Sequence, residues 1–553
     1  MNPHRFRAAF VLLVALGVAG CAPYASVSSV RPSFHPAGST VGTLAPVERS
    51  ISKAFRQEKR EPLVAIGGFL AAAQSAQQQL VRNPADIAAR HDYNFAVARV
   101  IGAIQQARLD AWTKPLAVPA ADGEFVLTCR PDPDPQRNPA LYDLIPADEL
   151  RLRGAYVRDH ERKEGIGAPL VAIERGVNTH SQRDHTMPRI YYGVTAVIRF
   201  EGRRAVIAFE DPLVTERVTL AEHQFPLAAD FTAPMAVLLA QQNPGKLKLE
   251  SLLRPEKCAR IARVTCLQPY DPNKTVVLII HGLMDTPATW VPMFDHLIAD
   301  EQIRRNYQLW SYSYPTGYPY PYSAALLRRE LDAVESRFPL RKKMVVIGHS
   351  MGGCISRLLI TDTGDKLWCE IFKKPPGETA MPPESKALLM QMLIFHHRPE
   401  IGRVIFIAAP LRGSDLAREW VGRTASMLVK DPHNLLRVGN HALRLVAFQR
   451  DEMRLKRAPN SVDSLAPNDV VMLALQKIPL TRGIPHHVIC GDRGKGGHKD
   501  KMKPVMSDGI VPYWSSHMDT AESELIVPSG HNVHQNPQAI AEVERILKLN
   551  LRQ

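Results

Sequence analysis

Cysteine is scarce and irregularly placed: 7 occur in 553 residues, and no two stand at a C-x-x-C spacing. That spacing would signal a bound metal, and nothing of the kind is present. His531 and His534 form an H-x-x-H pair, but neither an H-E-x-x-H glutamate nor a third ligand accompanies them, which argues against zinc. The Gly/Lys-rich stretch Arg493–Pro504 lacks the G-K-[ST] that opens a helix in a P-loop, so it is not a nucleotide-phosphate cradle. No motif for nucleic acid accompanies the net charge of +14. The basic balance therefore fits a solubilising surface or contact with anionic lipid or glycan phosphate, with no nucleic-acid partner. Beyond residue 21 no apolar run is long enough for a membrane-spanning helix. Hydrophobic content of 45% with 22% charged residues excludes a disordered chain, and the length implies two or three domains.

The first residues form a targeting segment. Arg5 and Arg7 precede an apolar stretch, Ala8–Gly20, too short to span a bilayer. It ends Val18-Ala19-Gly20-Cys21. Small residues before a cysteine resemble the lipobox of bacterial lipoproteins. The resemblance implies a signal peptide over 1–20, lipidation of Cys21 and a place in the cell envelope, the outer membrane being favoured because Ala22 is not an aspartate. Residues 21–48, rich in Ser, Pro, Gly, Thr and Val without a period, read as a tether.

Residues 49–115 carry two helical patterns broken at Asn83-Pro84, which predicts a helical hairpin: a packing element, or a surface for a protein partner. The hairpin is similar to one unit of a tetratricopeptide-type repeat, yet no further copy follows, so the chain is not an array. Residues 116–265 alternate Pro-rich loops with short β-rich runs, among them Phe125–Leu127, Leu170–Ile173, Thr195–Ile198 and Arg204–Phe209. They predict a small, mostly β domain without a catalytic constellation. In the envelope Cys258 and Cys266, nearest in sequence, are a candidate disulfide.

From residue 266 onward strands and helices alternate, the pattern of a mainly parallel sheet with helices on both faces. Strands are expected at Thr275–Ile280, Tyr307–Tyr314, Met344–Ile347, Val404–Ala409, Val488–Gly491 and Glu524–Val527, with a closing helix over Pro537–Leu549. Long stretches at 364–402 and 415–484 exceed ordinary connections. The apolar run Leu388–Phe395 reads either as part of a cap shaping an acyl pocket or as a core helix.

Gly348-His349-Ser350-Met351-Gly352-Gly353 follows one of those strands and opens a helix. Strand, sharp turn and helix are what a G-x-S-x-G nucleophile elbow requires. A serine hydroxyl needs a histidine to take its proton and an acid to orient that histidine. Asp508, in Ser507-Asp508-Gly509-Ile510-Val511-Pro512, and His531, in Ser529-Gly530-His531-Asn532, are the preferred partners. Asp492 and His534 are the alternatives. An oxyanion hole needs two backbone donors, assigned to Met351 and Leu283.

These pieces, with His281-Gly282, resemble bacterial lipases and esterases of the α/β-hydrolase superfamily over about residues 270–553. Ile407-Ala408-Ala409-Pro410-Leu411-Arg412-Gly413-Ser414 is similar to the T-P-x-x-G-S segment of triacylglycerol lipases, with Ala409 in place of the threonine. Ser461–Pro467 resembles a further segment of that subgroup. The resemblance implies an α/β-hydrolase fold, a Ser–Asp–His order along the chain and cleavage of carboxylic esters, lipid acyl esters among them, without a cofactor. The same triad would support acyl transfer. A non-catalytic envelope scaffold would have no reason to keep Ser350, Asp508 and His531 together.

Overall fold

The computed structural model describes residues 24–34, 45–157, 160–175, 191–220, 222–242, 244–268, 270–414, 460–494 and 506–552. The targeting segment and Cys21 therefore lie outside the described residues, as does 415–459 of the second long insertion. The contacts divide the chain into two units, one of Ala22–Gln242 with Asp295–Arg305 and one of Asn243–Phe294 with Asn306–Gln553. The boundary differs from the expected 266. Arg263–Cys266, at the end of the stretch assigned to the β domain, is a strand of the second unit's sheet.

In the first unit the expected hairpin is a three-helix group, Ala45–Gln57, Pro62–Arg82 and Ile87–Gln106. The break falls at Asn83–Asp86, where the Asp86 carboxylate accepts the Ala89 N–H at 2.9 Å and caps the third helix. The helices share one core with a six-stranded sheet, so hairpin and β domain are not separate bodies: Phe69, Tyr93, Val97 and Ile101 lie in the same cluster as Phe125, Ile198 and Ile207. All pairings in that sheet are antiparallel except Gly123–Cys129 with Arg204–Glu210. Within the stretch expected to be a tether, Ser26–Ser29 pairs antiparallel with Leu150–Arg153, and a helix already begins at Ala45. Backbone pairing holds this strand without needing a sequence period.

The second unit is built on a seven-stranded sheet: β1 Arg263–Cys266, β2 Thr275–Ile280, β3 Tyr307–Ser313, β4 Met344–His349, β5 Ile401–Ile407, β6 His486–Asp492 and β7 Ser523–Pro528. The order is β1-β3-β2-β4-β5-β6-β7, parallel throughout except β1, which runs antiparallel to β3 at the edge. Every residue of β2, β4 and β6 is buried, as central strands covered on both faces must be. The helices Tyr320–Arg337 and Met351–Leu359 give Leu327, Leu331, Ile355 and Leu358 to the core. Tyr307 of β3 donates to the Leu547 carbonyl of the closing helix Pro537–Asn550 at 2.7 Å.

The first long insertion holds the helices Lys366–Phe372 and Pro383–Leu393. Leu389, Met392 and Leu393 join the domain core with Trp368, so the core-helix alternative describes this run. Each such buried apolar side chain stabilises by about 1.5–3 kcal/mol. The described part of the second insertion likewise buries Met472, Ala474 and Leu475. Cys258 and Cys266 are unbonded, and Cys354 and Cys490 are buried thiols. Among the described residues no helix is long and apolar enough to cross a membrane.

Candidate active site

Ser350 stands between β4 and the helix Met351–Leu359 with φ 54° and ψ −125°. A non-glycine residue holds such a backbone only where its surroundings over-determine it. Here its N–H donates to the Ile407 carbonyl of β5 at 2.9 Å, and neighbouring glycines clear the space. A Cβ on Gly352 would strike the carbonyls of Ile280 and His281 at the end of β2, and one on Gly348 would strike Gly352 and Ser356. The tight turn places the serine at the C-terminal rim of the sheet and at a helix N-terminus, where the Met351 N–H has no acceptor one turn back.

His531 lies in the turn after β7. Its Nδ1 is 2.7 Å from Asp508 Oδ2 and its Nε2 is 2.8 Å from Ser350 Oγ. Asp508 is in the loop between β6 and β7, and its Oδ1 accepts the N–H groups of Ile510 and Val511 at 2.8 and 2.7 Å. Burial alone would push the Asp508 carboxyl up. The hydrogen bond from His531 and the two backbone donors outweigh it and hold the carboxyl below its usual range. An ionised Asp508 can only accept, so the proton sits on His531 Nδ1, Nε2 is free to accept, and the Ser350 hydroxyl donates to it. The acid is sealed, with 1% of its side chain exposed against 17% for His531.

The alternatives stand elsewhere. Asp492 Oδ1 accepts the Gly494 N–H at 2.8 Å. His534 is buried with Nε2 at 3.1 Å from Thr289 Oγ1. On the other side of Ser350, a Cβ added to Gly282 would lie 2.9 Å from the Ser350 Cβ, so the loop after β2 passes directly against the nucleophile. Leu283, the expected second oxyanion donor, is the next residue of that loop.

Two segments singled out in the sequence support the acid. Ser414 Oγ donates to the Ile510 carbonyl at 2.6 Å and Ser516 Oγ to the Ala409 carbonyl at 2.9 Å. Arg412 Nη1 donates to the Trp514 carbonyl at 2.8 Å. The stretch after β5 is thus stitched to the loop carrying Asp508. It is also locked to Ser461–Pro467, since the Ser414 N–H donates to the Leu465 carbonyl at 2.9 Å and Gly413 lies against Pro467. Where a threonine was expected, Ala409 brings its methyl group up to Gly353, at the foot of the nucleophile helix.

Sequence reasoning did not find the group behind the triad. His349, the residue before the nucleophile, donates from Nε2 to the His531 carbonyl at 2.8 Å. Asp285 and His534 lie beside it, and all three are buried. Burial lowers His349 to about 3 and raises Asp285 to about 6. The only signal in the sequence was a histidine inside G-x-S-x-G, which does not announce what its ring will touch.

Fold and site together define the class: a parallel sheet whose rim carries a serine on a strained elbow, a histidine and a buried aspartate. Residues 276–543 match the model of the alpha/beta hydrolase family, and this half of the chain is an alpha/beta hydrolase domain. No curated protein matches the sequence. Similar solved structures include a Bacillus licheniformis lipase, BlEst2, in its mature form, at 16% identity and a TM-score of 0.31, covering 52% of this chain and 98% of that one. A metagenomic carboxyl esterase, MGS0156, is 14% identical with a TM-score of 0.26, over 48% of this chain and 67% of that one. Phospholipase PlaB from Legionella pneumophila is 14% identical with a TM-score of 0.25, over 44% of this chain and 46% of that one. At these scores the likenesses add nothing to the family match.

Proposed function

We propose that this protein is a serine hydrolase that cleaves carboxylic esters, with lipid acyl esters as the favoured substrates. The reading is carried by the unbroken hydrogen-bonded line from Asp508 through His531 to Ser350. In the reaction, Ser350 Oγ attacks the acyl carbonyl while His531 Nε2 takes its proton. The imidazolium that forms is stabilised by Asp508 and gives the proton to the leaving alcohol. The carbonyl oxygen, now negative, is held by the N–H groups of Met351 and Leu283. Water, deprotonated by His531, then attacks the acyl-enzyme and releases the acid. The proton taken from that water returns through His531 to Ser350 Oγ as the acid leaves.

The proposed place of this chemistry is the cell envelope, with the protein anchored by a lipid on Cys21. The support is the Val18-Ala19-Gly20-Cys21 sequence and the basic balance of +14. Incorporation of labelled palmitate by the full chain, lost in Cys21→Ser, tests the anchor.

The catalytic test is hydrolysis of p-nitrophenyl esters of increasing acyl length by the full chain and by Ser350→Ala. The substitution is expected to lower kcat by about 10⁴-fold or more with an unchanged melting temperature. Equal turnover by the two proteins would exclude Ser350 as the nucleophile. Products seen only with an added alcohol acceptor would move the assignment to acyl transfer.

A further inference from the structure

His349, His534 and Asp285 form a buried group that the triad does not use. Their ligand-type atoms lie within 4.8 Å of one another, a grouping that invites a metal. The hydrogen bonds supply another account. Thr289 Oγ1 sits 3.0 Å from Asp285 Oδ2 and 3.1 Å from His534 Nε2, so its hydroxyl bridges the acid and the histidine. Asp285 also accepts the Thr286 N–H at 2.8 Å. The carboxylate is therefore satisfied within the loop after β2.

His349 is left as the link. It is the last residue of β4, fixed in register opposite Ile407 of β5. Its Nε2 is 2.8 Å from the His531 carbonyl oxygen, and a carbonyl only accepts, so Nε2 carries the proton. Its Nδ1 then has a bare lone pair, buried without a partner and 4.0 Å from Asp285 Oδ2. The ring packs on His534 at 4.1 Å between centroids, and a Cβ on Gly282 would lie 3.1 Å from Nδ1. One imidazole thus lies against the loop after β2 and bonds the backbone of His531, and its own backbone is joined to the nucleophile.

We propose that His349 is a positioning residue: its Nε2–H fixes the main chain of His531, so that the His531 ring reaches Ser350 and Asp508 together, and its ring sets the spacing between that loop and the one at Gly282–Asp285. This rests on the assignment of Ser350, His531 and Asp508 as the reacting groups. A single hydrogen bond to a carbonyl is modest for stability, yet the reaction is sensitive to a displacement of the base of about 1 Å, which can cost about 10²-fold in rate.

The test uses the full-length protein and the variants His349→Phe and His349→Gln. Phenylalanine keeps the ring and loses the donor. Glutamine places an amide N–H where Nε2 stood. The expected result with a p-nitrophenyl ester is a kcat lower by about 10²-fold in His349→Phe with KM little changed, and return to within about 10-fold of wild type in His349→Gln. A phenylalanine variant as fast as wild type, or a glutamine variant as slow as the phenylalanine one, would overturn the proposal. Nitrogen-15 histidine spectra of the wild type give a reading that needs neither turnover nor a variant. They should show His349 as the neutral Nε2–H tautomer. An Nδ1–H tautomer, or a stoichiometric metal ion bound to the purified protein and lost in His349→Phe, contradicts it. Failure of the hydrolase reading itself would appear as absent Ser350-dependent turnover in the wild type, while the tautomer would still decide the role of His349.

Discussion

Both units of this chain fold around a central sheet with an apolar core, yet among the described residues only one gathers chemistry at a single place. In the C-terminal sheet the strands from β3 to β7 are parallel, so their C-terminal ends share one rim. Loops from Gly282 to His531 meet there although nearly half the chain separates them. In the N-terminal sheet the pairings are antiparallel but for one, so successive loops alternate between opposite edges. Polar side chains buried in that unit serve its packing: the Tyr93 hydroxyl donates to the Ile198 carbonyl at 2.6 Å and accepts its N–H at 2.9 Å. The direction of the strands, rather than the richness of a region in polar residues, decides where dispersed groups can converge.

That contrast can be broken most severely at the acid. Asp508→Asn should lower kcat by about 10³–10⁴-fold, because an amide cannot hold His531 in the Nδ1–H tautomer. Asp492→Asn, at the end of β6 but bonded to Gly494, should leave it within about 3-fold. Equal losses in steady-state assays of the two would mean the wrong acid has been assigned. Next comes the oxyanion loop. Gly282→Ala puts a methyl carbon against the Ser350 Cβ and should cost about 10²-fold in kcat, since that loop must retreat from the nucleophile.

The N-terminal unit should respond in the opposite sense. Tyr93→Phe leaves the main-chain groups of Ile198 without their side-chain partner. It should destabilise by about 1–3 kcal/mol in denaturant melts while kcat/KM stays unchanged. A loss of turnover without a loss of stability would show that the unit takes part in the reaction.

A further effect, on stability alone, concerns pH. An unfolded chain takes up a proton at His349 near the ordinary histidine value of about 6.5, whereas burial lowers the folded group to about 3. Stability from keeping this ring neutral is therefore full above pH 6.5 and is lost as pH falls below it, by up to about 1.4 kcal/mol per pH unit. His349→Gln removes that dependence. Its melting temperature relative to wild type should rise steadily between pH 6.5 and 4. A difference that stays flat over this range would contradict a buried neutral His349.

The sequence made the catalytic half legible because its signals are local. β2 and β4 are rich in β-branched residues, and the elbow declares its strand, turn and helix in a few residues. Asp508 and His531 were preferred over Asp492 and His534 by the loops in which they lie, and the geometry brings the preferred pair to Ser350. What escaped was decided by distant partners. The strand Ser26–Ser29 exists because Leu150–Arg153 pairs with it, and nothing in a Ser- and Pro-rich stretch foretells that. The run Leu388–Phe395 could have faced a substrate or the core, and its packing with Trp368 settled which. The role of His349 depends on a carbonyl 182 residues away.

The central claim is that Ser350 is a nucleophile activated by His531. The most direct measurement is reaction of the full-length protein with a fluorophosphonate, followed by intact mass and peptide mapping. The account predicts a single adduct, on Ser350, that forms at a much reduced rate in His531→Ala, while His534→Ala labels faster than His531→Ala. No adduct on the folded protein, an adduct on another residue, or labelling of Ser350 that is indifferent to His531 would contradict it.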